Sequence, residues 1–483
     1  MLFRKIGVCF FLVTGIVCNS SFSNKAIPVK NEGALTFEFD LTATTPLLKP
    51  PYISGVMDDP TDPAATIGFI ADVKENGKMI AAKEYTVTAI SDNKLVVRDN
   101  NILISNADGY VTIKIVPTGF GYSNITLTLT RGKNTSSLVI NYASSAAADT
   151  PSNTFWHTGI SDASAVVALD SDYMVIADDE INSLLVFHRY ESGLPVAAFN
   201  YASLSGLTDG GDGNYKEVDC EAGARSFAHP ERTYWSGSMS NGGKHLEEKP
   251  NRSCLFETEI SGTGAHTKFI YKGHYNDLRK QLLQWGDKNG YKLSSSADYG
   301  MTPKSVAGFN IEGIVFAPDS TTLYIGFRAP IVPVTNRTKA LIAPIQNFES
   351  WFNNGDPSGD PVIGKPIELD LGGRGIRDML RLSNGNYLII AGSSDEILNA
   401  ALYTWTGKPA DAPVLSNMMD VYALKIESGL EIFNNGQPTG KVQVISDNGS
   451  NVFYNDDVQT KFLHTNFKKF RSDIVDIQQQ VNK

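Results

Sequence analysis

Glu312-Gly-Ile-Val-Phe-Ala-Pro-Asp-Ser-Thr-Thr-Leu-Tyr-Ile-Gly326 reads as an apolar strand, a tight polar turn and a second apolar strand. The same phrase returns 65 residues later in Arg377-Asp-Met-Leu-Arg-Leu-Ser-Asn-Gly-Asn-Tyr-Leu-Ile-Ile-Ala391, where Arg377 takes the place of Glu312. Earlier copies begin at Asp162 (Asp162-Ala-Ser-Ala-Val-Val-Ala-Leu-Asp-Ser-Asp-Tyr-Met-Val-Ile-Ala177) and at Glu221 (Glu221-Ala-Gly-Ala-Arg-Ser-Phe227). A small sheet cannot bury both faces alone, so a unit repeated at tens of residues implies neighbouring sheets packed in a ring, a β-propeller. The starts are 59, 91 and 65 residues apart. The long interval reads as a weak blade plus a helix over 276–288, with Leu278, Leu282, Leu283 and Trp285 on one face. Six blades are expected, with five or seven as alternatives.

The 483 residues exceed one ordinary core. Residues 32–146 form a first domain, with alternating strands at 35–41, 66–73, 85–90, 110–116, 124–130 and 137–142 separated by Gly, Asn and Asp turns. That pattern suits an immunoglobulin-like β-sandwich, and the stretches 55–64 and 116–129 resemble Ig-like repeats of bacterial surface proteins. The run 143–152 is a small-residue linker, and 153–483 is the propeller. In the first domain Asp58, Asp59 and Asp62 would make either a calcium loop or a proline-braced acidic turn. The expected fold class is all-β.

Residues 1–23 read as an export signal: Arg4 and Lys5, an apolar run over 6–18, then Ser21-Phe22-Ser23. The expected address is periplasmic, cell-surface or extracellular in a bacterium, with no transmembrane span after cleavage; Cys18 leaves lipidation open. Asp and Glu (52) outnumber Lys and Arg (42), a net charge of −10, which removes the electrostatic reason to bind nucleic acid. Cys220 and Cys254 remain after cleavage. In an oxidising compartment they would form a disulfide that adds roughly 3–4 kcal/mol; otherwise they are two buried thiols.

Several blocks of the second domain resemble the DUF3616 family of bacterial proteins: Ala177-Asp-Asp-Glu180, Lys216-Glu-Val-Asp-Cys-Glu221, Pro250-Asn-Arg-Ser-Cys-Leu-Phe256, Asn310-Ile-Glu-Gly313, Gly326-Phe-Arg-Ala-Pro330 and Leu371-Gly-Gly-Arg-Gly-Ile-Arg-Asp378. The resemblance implies a propeller distantly similar to esterase-like phytase propellers, and it brings no activity with it. It also implies a histidine after Tyr234-Trp-Ser-Gly-Ser238, where this chain has Met239.

Chemistry concentrates in Glu217-Val-Asp219-Cys-Glu221. On a regular strand these carboxylates share one face at ~7 Å spacing, and each neighbouring pair costs about 2.4 kcal/mol at an effective dielectric near 20. A cation, nearby arginines or a shared proton must offset that cost, and Arg225 has the matching strand parity. Asp219, Glu221 and Glu312 are the candidate catalytic acids. Asp178, Asp179 and Glu180 are the candidate metal ligands, which with Asp219, Glu221 and Glu312 would build an oxygen-rich calcium site. Arg252, Arg328, Arg374 and Arg377 are the candidate anion ligands. The glycine-rich 209–214 reads as an exposed loop with a calcium-like alternative.

Two functions follow. One is an exported binding protein, with the first domain as spacer and the propeller's central face taking a glycan, a peptide, a small anionic ligand or a surface protein. Trp235, Trp285 or Trp351 would supply aromatic contacts, or else blade core. The other is a calcium-assisted phosphoester or ester hydrolase.

Overall fold

A computed structural model describes residues 35–37, 51–59, 61–62, 66–70, 73–107, 110–146, 152–207, 215–352, 355–395, 397 and 399–478. The export signal and the 209–214 loop lie outside the described residues.

Three small sheets share the first apolar core, the smallest made of Leu35–Thr36, Lys74–Glu75 and Lys78–Met79, and two larger ones face each other. One orders its strands Tyr52–Val56, Asn134–Ser145, Gly121–Arg131, Thr86–Ser91, and the other Thr66–Ile70, Tyr110–Ile115, Ile102–Ala107. Gly121–Arg131 shows why they face each other: its alternate residues Ile125, Leu127 and Leu129 are buried together with Ile113, Ile115 and Ile140. Tyr52–Val56 and Ile102–Ala107 escape the alternation reading. The first runs parallel to the last strand, Tyr52 opposite Asn141 and Val56 opposite Ser145.

Five four-stranded sheets make up the rest. Blade 1 is Ala163–Ala168, Tyr173–Asp178, Ile181–His188 and Ala197–Asn200; blade 2 is Cys220–Arg225, Arg232–Gly237, Leu255–Ser261 and Lys268–Tyr275. Blade 3 is Asn310–Phe316, Leu323–Ala329, Ala340–Ile345 and Ile367–Leu369; blade 4 is Gly375–Arg381, Tyr387–Gly392, Ala401–Trp405 and Val414–Asn417. Blade 5 takes Ile426–Asn434, Gln437–Ser446 and Lys469–Asp476 from the C-terminal end, and its outer strand, Thr154–Thr158, from the start of the propeller. The first strand of each blade lies against the first strand of the next, and that of blade 5 against that of blade 1, so the ring is closed.

Six blades were expected and five are present. The long interval hides no blade. It holds the remaining strands of blade 2, a two-stranded hairpin (Asn241–Gly242 with Glu247–Glu248) and the helix Leu278–Lys288, whose Leu278, Leu282 and Trp285 pack into the core between blades 2 and 3. Trp235 and Trp351 are also buried. The three tryptophans are blade core, not loop contacts.

Neighbouring blades meet closely. A Cβ on Gly375 would lie 1.9 Å from the Arg328 carbonyl oxygen, so only glycine lets blade 4 start against blade 3. Blades 4, 5 and 1 are also clasped by hydrogen bonds. The Val166 N–H donates to Ser428 Oγ (3.2 Å), and the Ser428 hydroxyl donates to Asp378 Oδ2 (2.5 Å). Asp378 also accepts from the N–H groups of Gly429 (3.2 Å) and Met379 (2.7 Å).

The sandwich docks on blades 1 and 5. Lys469, 1% exposed, donates to the Gly55 carbonyl and to Ser145 Oγ (2.9 Å), and burial pulls its ammonium down to about 7 against the opposing pull of Asp62 and Asp59. Asp62 accepts from the Val56 N–H (2.8 Å), while Asp59 holds Thr61 (2.8 Å) and Ser192. The acidic loop of the first domain is thus a braced turn that serves as a docking latch.

Burial raises Asp378 to about 7, against an unfolded value of ~3.9. Between those values the folded chain binds more protons than the unfolded one, so this group's contribution to stability falls as pH rises from ~4 to ~7 and is level above. In urea unfolding followed by tryptophan fluorescence, Asp378→Asn is expected to remove that slope. Ser428→Ala, which leaves the Val166 N–H without its partner, is expected to cost about 1–3 kcal/mol.

Candidate functional site

Each inner strand carries one residue more than its neighbour at the end where the strand begins. The register slips between Ala163 and Ala165, Cys220 and Ala222, Ile311 and Gly313, Ile376 and Asp378, and Ile426 and Ser428. The bulged residues are Ser164, Glu221, Glu312, Arg377 and Glu427. A bulge leaves one residue unpaired and re-aims its side chain, and five bulges at one level gather these groups around the axis.

Glu312 anchors this hub. It is 1% exposed and meets Arg328 Nη1 at 2.8 Å, Arg377 Nη1 at 3.1 Å and Asn310 Nδ2 at 2.8 Å. Burial pushes its pKa up, but the two guanidinium groups outweigh burial and hold it below the ordinary value. Arg377 also bridges to Glu427 (2.7 and 2.9 Å), which burial and Glu312 raise to about 7.

Opposite conditions hold on the side of blades 1 and 2. Asp179, Asp219 and Glu221 each bring a carboxylate oxygen within 4.8 Å of the others, and Asp162, Asp179 and Glu180 form a second such group. Asp219 is paired with Arg252 Nη1 (2.9 Å) and accepts from the Ser238 hydroxyl. Asp179 Oδ1 is buried and has no hydrogen-bond partner among the described residues. Burial, then the like charges of Glu312 and Asp219, push Glu221 well above the carboxylate range, and burial, then Glu221, does the same to Asp179. Burial also raises Asp178 to about 7. Asp179, Asp219 and Glu221 are partly reached by solvent yet ringed by protein, so they are crowded acids with too few cations.

The route to this cluster differs from the strand reading. Glu217, Asp219 and Glu221 do not share a strand face. Asp219 precedes the strand in a left-handed conformation (φ 56°), and Glu221 is the bulge. The bulge also breaks strand parity, so Arg225 donates to the carbonyls of Ala168 and Leu169 (both 2.9 Å) at the other end of the channel. Left-handed backbone in a non-glycine residue stores strain of about 1–3 kcal/mol. Met239 (φ 57°) shares it and is fully buried in the apolar core, facing no site.

Most candidate residues converge. Asp219, Glu221, Glu312, Arg252, Arg328 and Arg377 meet at the hub, and Asp178, Asp179 and Glu180 border it. Arg374 does not join them: it bonds the Asn399 carbonyl (2.7 Å) and Met418 Sδ (3.6 Å) within blade 4. The arginines that do arrive are neutralised by carboxylates, so they form no open anion cradle. Cys220 and Cys254 are free thiols, buried beside Tyr201 and Phe256 in a core that takes them as small apolar groups. Two hub residues went unread, Glu427 and Asp162. Glu427-Ser-Gly-Leu-Glu-Ile432 starts like the other phrases and was the available signal.

No family model and no curated protein matches the chain, so the DUF3616 resemblance stands on the quoted blocks alone. Among solved structures, the chain is similar to a quinoprotein alcohol dehydrogenase-like protein from Bacteroides thetaiotaomicron, with 10% identity, 89% of this chain and 99% of that one covered, and a TM-score of 0.26. It is also similar to the Pan2 WD40 domain of Neurospora crassa, with 6% identity, 83% and 99% coverage, and a TM-score of 0.25. Neither likeness speaks to what the hub does.

Substitution separates the two halves of the hub. Glu312→Gln leaves Arg328 as a buried charge without its carboxylate and Arg377 with Glu427 alone, and it is expected to cost about 3–5 kcal/mol. Glu221→Gln relieves like-charge crowding and is expected to leave the melting temperature unchanged or raise it. Calorimetric melting at pH 7.5 checks both.

Proposed function

We propose that this chain is an exported binding protein whose propeller hub takes a divalent cation, calcium by the chemistry of the donors, between Asp179, Asp219 and Glu221, and through it an anionic or hydroxyl-rich ligand such as a glycan or a phosphoester. The observation that carries the reading is the unequal charge balance. Glu312 has two guanidinium partners, one on each oxygen, whereas Asp179 and Glu221 sit in mutual repulsion, and Asp179 Oδ1 is buried with no hydrogen-bond partner among the described residues. Carboxylate-only donors suit a hard cation. Bound there, the cation would neutralise the crowded acids and offer its remaining positions to ligand oxygens. The long connections 238–254, 276–309 and 447–468 open on the same end of the ring, where a ligand would meet them. The sandwich acts as a spacer, and the parallel pairing of Tyr52–Val56 with its last strand supports the immunoglobulin-like reading.

A second reading is hydrolysis of an ester or phosphoester. It is favoured by one feature, a pair of carboxyls whose environments push their pKa values apart, Glu221 up and Glu312 down. In this reading Glu221 would stay out of the cation's ligand set and keep its proton near the ligand's leaving oxygen, while a cation held by Asp179 and Asp219 polarises the bond.

Cation binding must displace the protons that Asp179 and Glu221 retain, so affinity rises with pH. Isothermal titration with calcium is expected to show one saturable site that weakens as pH is lowered from about 8 to about 6. Asp219→Asn and Glu221→Gln are expected to weaken it at least tenfold. Lack of any calcium heat or thermal stabilisation at pH 8 would refute the reading. Turnover of p-nitrophenyl esters or phosphates that needs both calcium and Glu221 would favour hydrolysis.

A further inference from the structure

The central channel has a second end, which the hub chemistry leaves unused. Beneath the ring of bulges the five inner strands line a cavity of about 990 Å³, at the upper end of the ~300–1,000 Å³ typical of small-molecule sites. Each blade contributes wall: Val166, Ala224, Ile314, Met379 and Leu430. The wall is apolar and offers little polar competition. Asp378 also lines it, but both of its oxygens already accept hydrogen bonds from Met379, Ser428 and Gly429.

The rim carries three arginines in unequal situations. Arg189 is 2% exposed and held by Gln443 Oε1 (3.1 Å) and the Glu431 carbonyl (3.1 Å). Arg225 is taken up by the carbonyls of Ala168, Leu169 and Pro230. Arg381 makes one hydrogen bond, from Nη1 to Ser320 Oγ (3.1 Å), and its guanidinium rests on the ring of Phe227 at 4.6 Å. Among the described residues no carboxylate lies within ion-pair distance of it. The rim acids are engaged elsewhere. Asp170 caps the N–H groups of Asp172 and Tyr173 (both 2.8 Å), and Glu431 accepts from the Ser383 N–H (2.7 Å) and hydroxyl (3.0 Å). Carbonyl and amide oxygens take up the donors of Arg189 and Arg225, so the cavity pairs an apolar shaft with one guanidinium whose donors are largely unused, oriented by an aromatic platform. A guanidinium in that state is a natural partner for a carboxylate, and the apolar shaft is a partner for a hydrocarbon body.

We propose that this end of the channel is a second binding site, for an amphipathic monocarboxylate whose apolar body enters the shaft and whose carboxylate pairs with Arg381. It is separate from the cation hub and needs no metal. The test is calorimetric titration of the full chain, with chelator present, using straight-chain carboxylates from hexanoate to dodecanoate below their micelle concentrations, and the matched alcohols. Saturable binding of a carboxylate, at least tenfold weaker for its alcohol, is expected. Arg381→Gln is expected to weaken the carboxylate at least tenfold, with partial recovery in Arg381→Lys. Ser171→Trp places a bulky ring at the exposed rim without touching the blade core, and it is expected to block binding while the melting temperature holds. Absence of saturable carboxylate binding, equal affinity for acid and alcohol, or unchanged affinity in Arg381→Gln or Ser171→Trp would overturn the proposal.

Discussion

A ring of sheets brings five strand ends to one axis, and any charge placed there loses most of its water and gains neighbours at once. At ~5 Å and an effective dielectric near 20, two like charges repel by about 3 kcal/mol, so the hub is tolerable only where opposite charge is supplied. In this chain the supply is uneven. Blades 3 to 5 interleave Glu312, Arg328, Arg377 and Glu427 into a continuous ion-paired chain. Blades 1 and 2 place Asp162, Asp179, Asp219 and Glu221 side by side, with Arg252 as the cation in contact. The first half is a structural staple. The second half is left with crowded carboxyls that must hold protons or be met by a cation.

The bulges make the gathering possible. On an unbroken strand, period-two alternation would send a polar residue to the axis and its neighbours into the blade interface, and the next position would have to be apolar or small. Inserting one residue lets Glu221 follow the buried Cys220 and precede the buried Ala222 without costing either its packing. The same device repeats at Ser164, Glu312, Arg377 and Glu427, so the hub's composition can vary from blade to blade while the wall beneath it, with Val166, Ala224, Ile314, Met379 and Leu430, remains apolar.

This explains what was legible in the amino-acid sequence. The strand–turn–strand phrases are local signals, and they placed Glu312 and Arg377 at equivalent positions before any contact was known. The convergence of Asp219, Glu221, Arg252 and Arg328 followed from the ring. Blade count was less visible, because blade 2 spreads its strands around a hairpin and a helix, and blade 5 borrows Thr154–Thr158 from the other end of the propeller. The reading of Glu217, Asp219 and Glu221 as one strand face failed for a definite reason. A left-handed residue and a bulge interrupt periodicity, and neither has a sequence signature when the residues involved are Asp and Glu. Arg225 was misplaced by the same one-residue slip. Glu427 went unread because its strand continues past the usual turn position into a long hairpin through Asn435 and Gly436.

The channel therefore has two chemically different ends, one crowded with acids and one apolar with a single open guanidinium, separated by the clasp of Asp378 and Ser428. The claim that most of this depends on is that Asp179, Asp219 and Glu221 form a cation site rather than a set of mutually protonated acids. Diffraction from crystals grown at pH 8 with calcium tests it directly. The account predicts anomalous density bonded at 2.3–2.6 Å to oxygens of all three carboxylates, whereas three carboxyls bonded to one another or turned onto Arg252, with no ion between them, would contradict it.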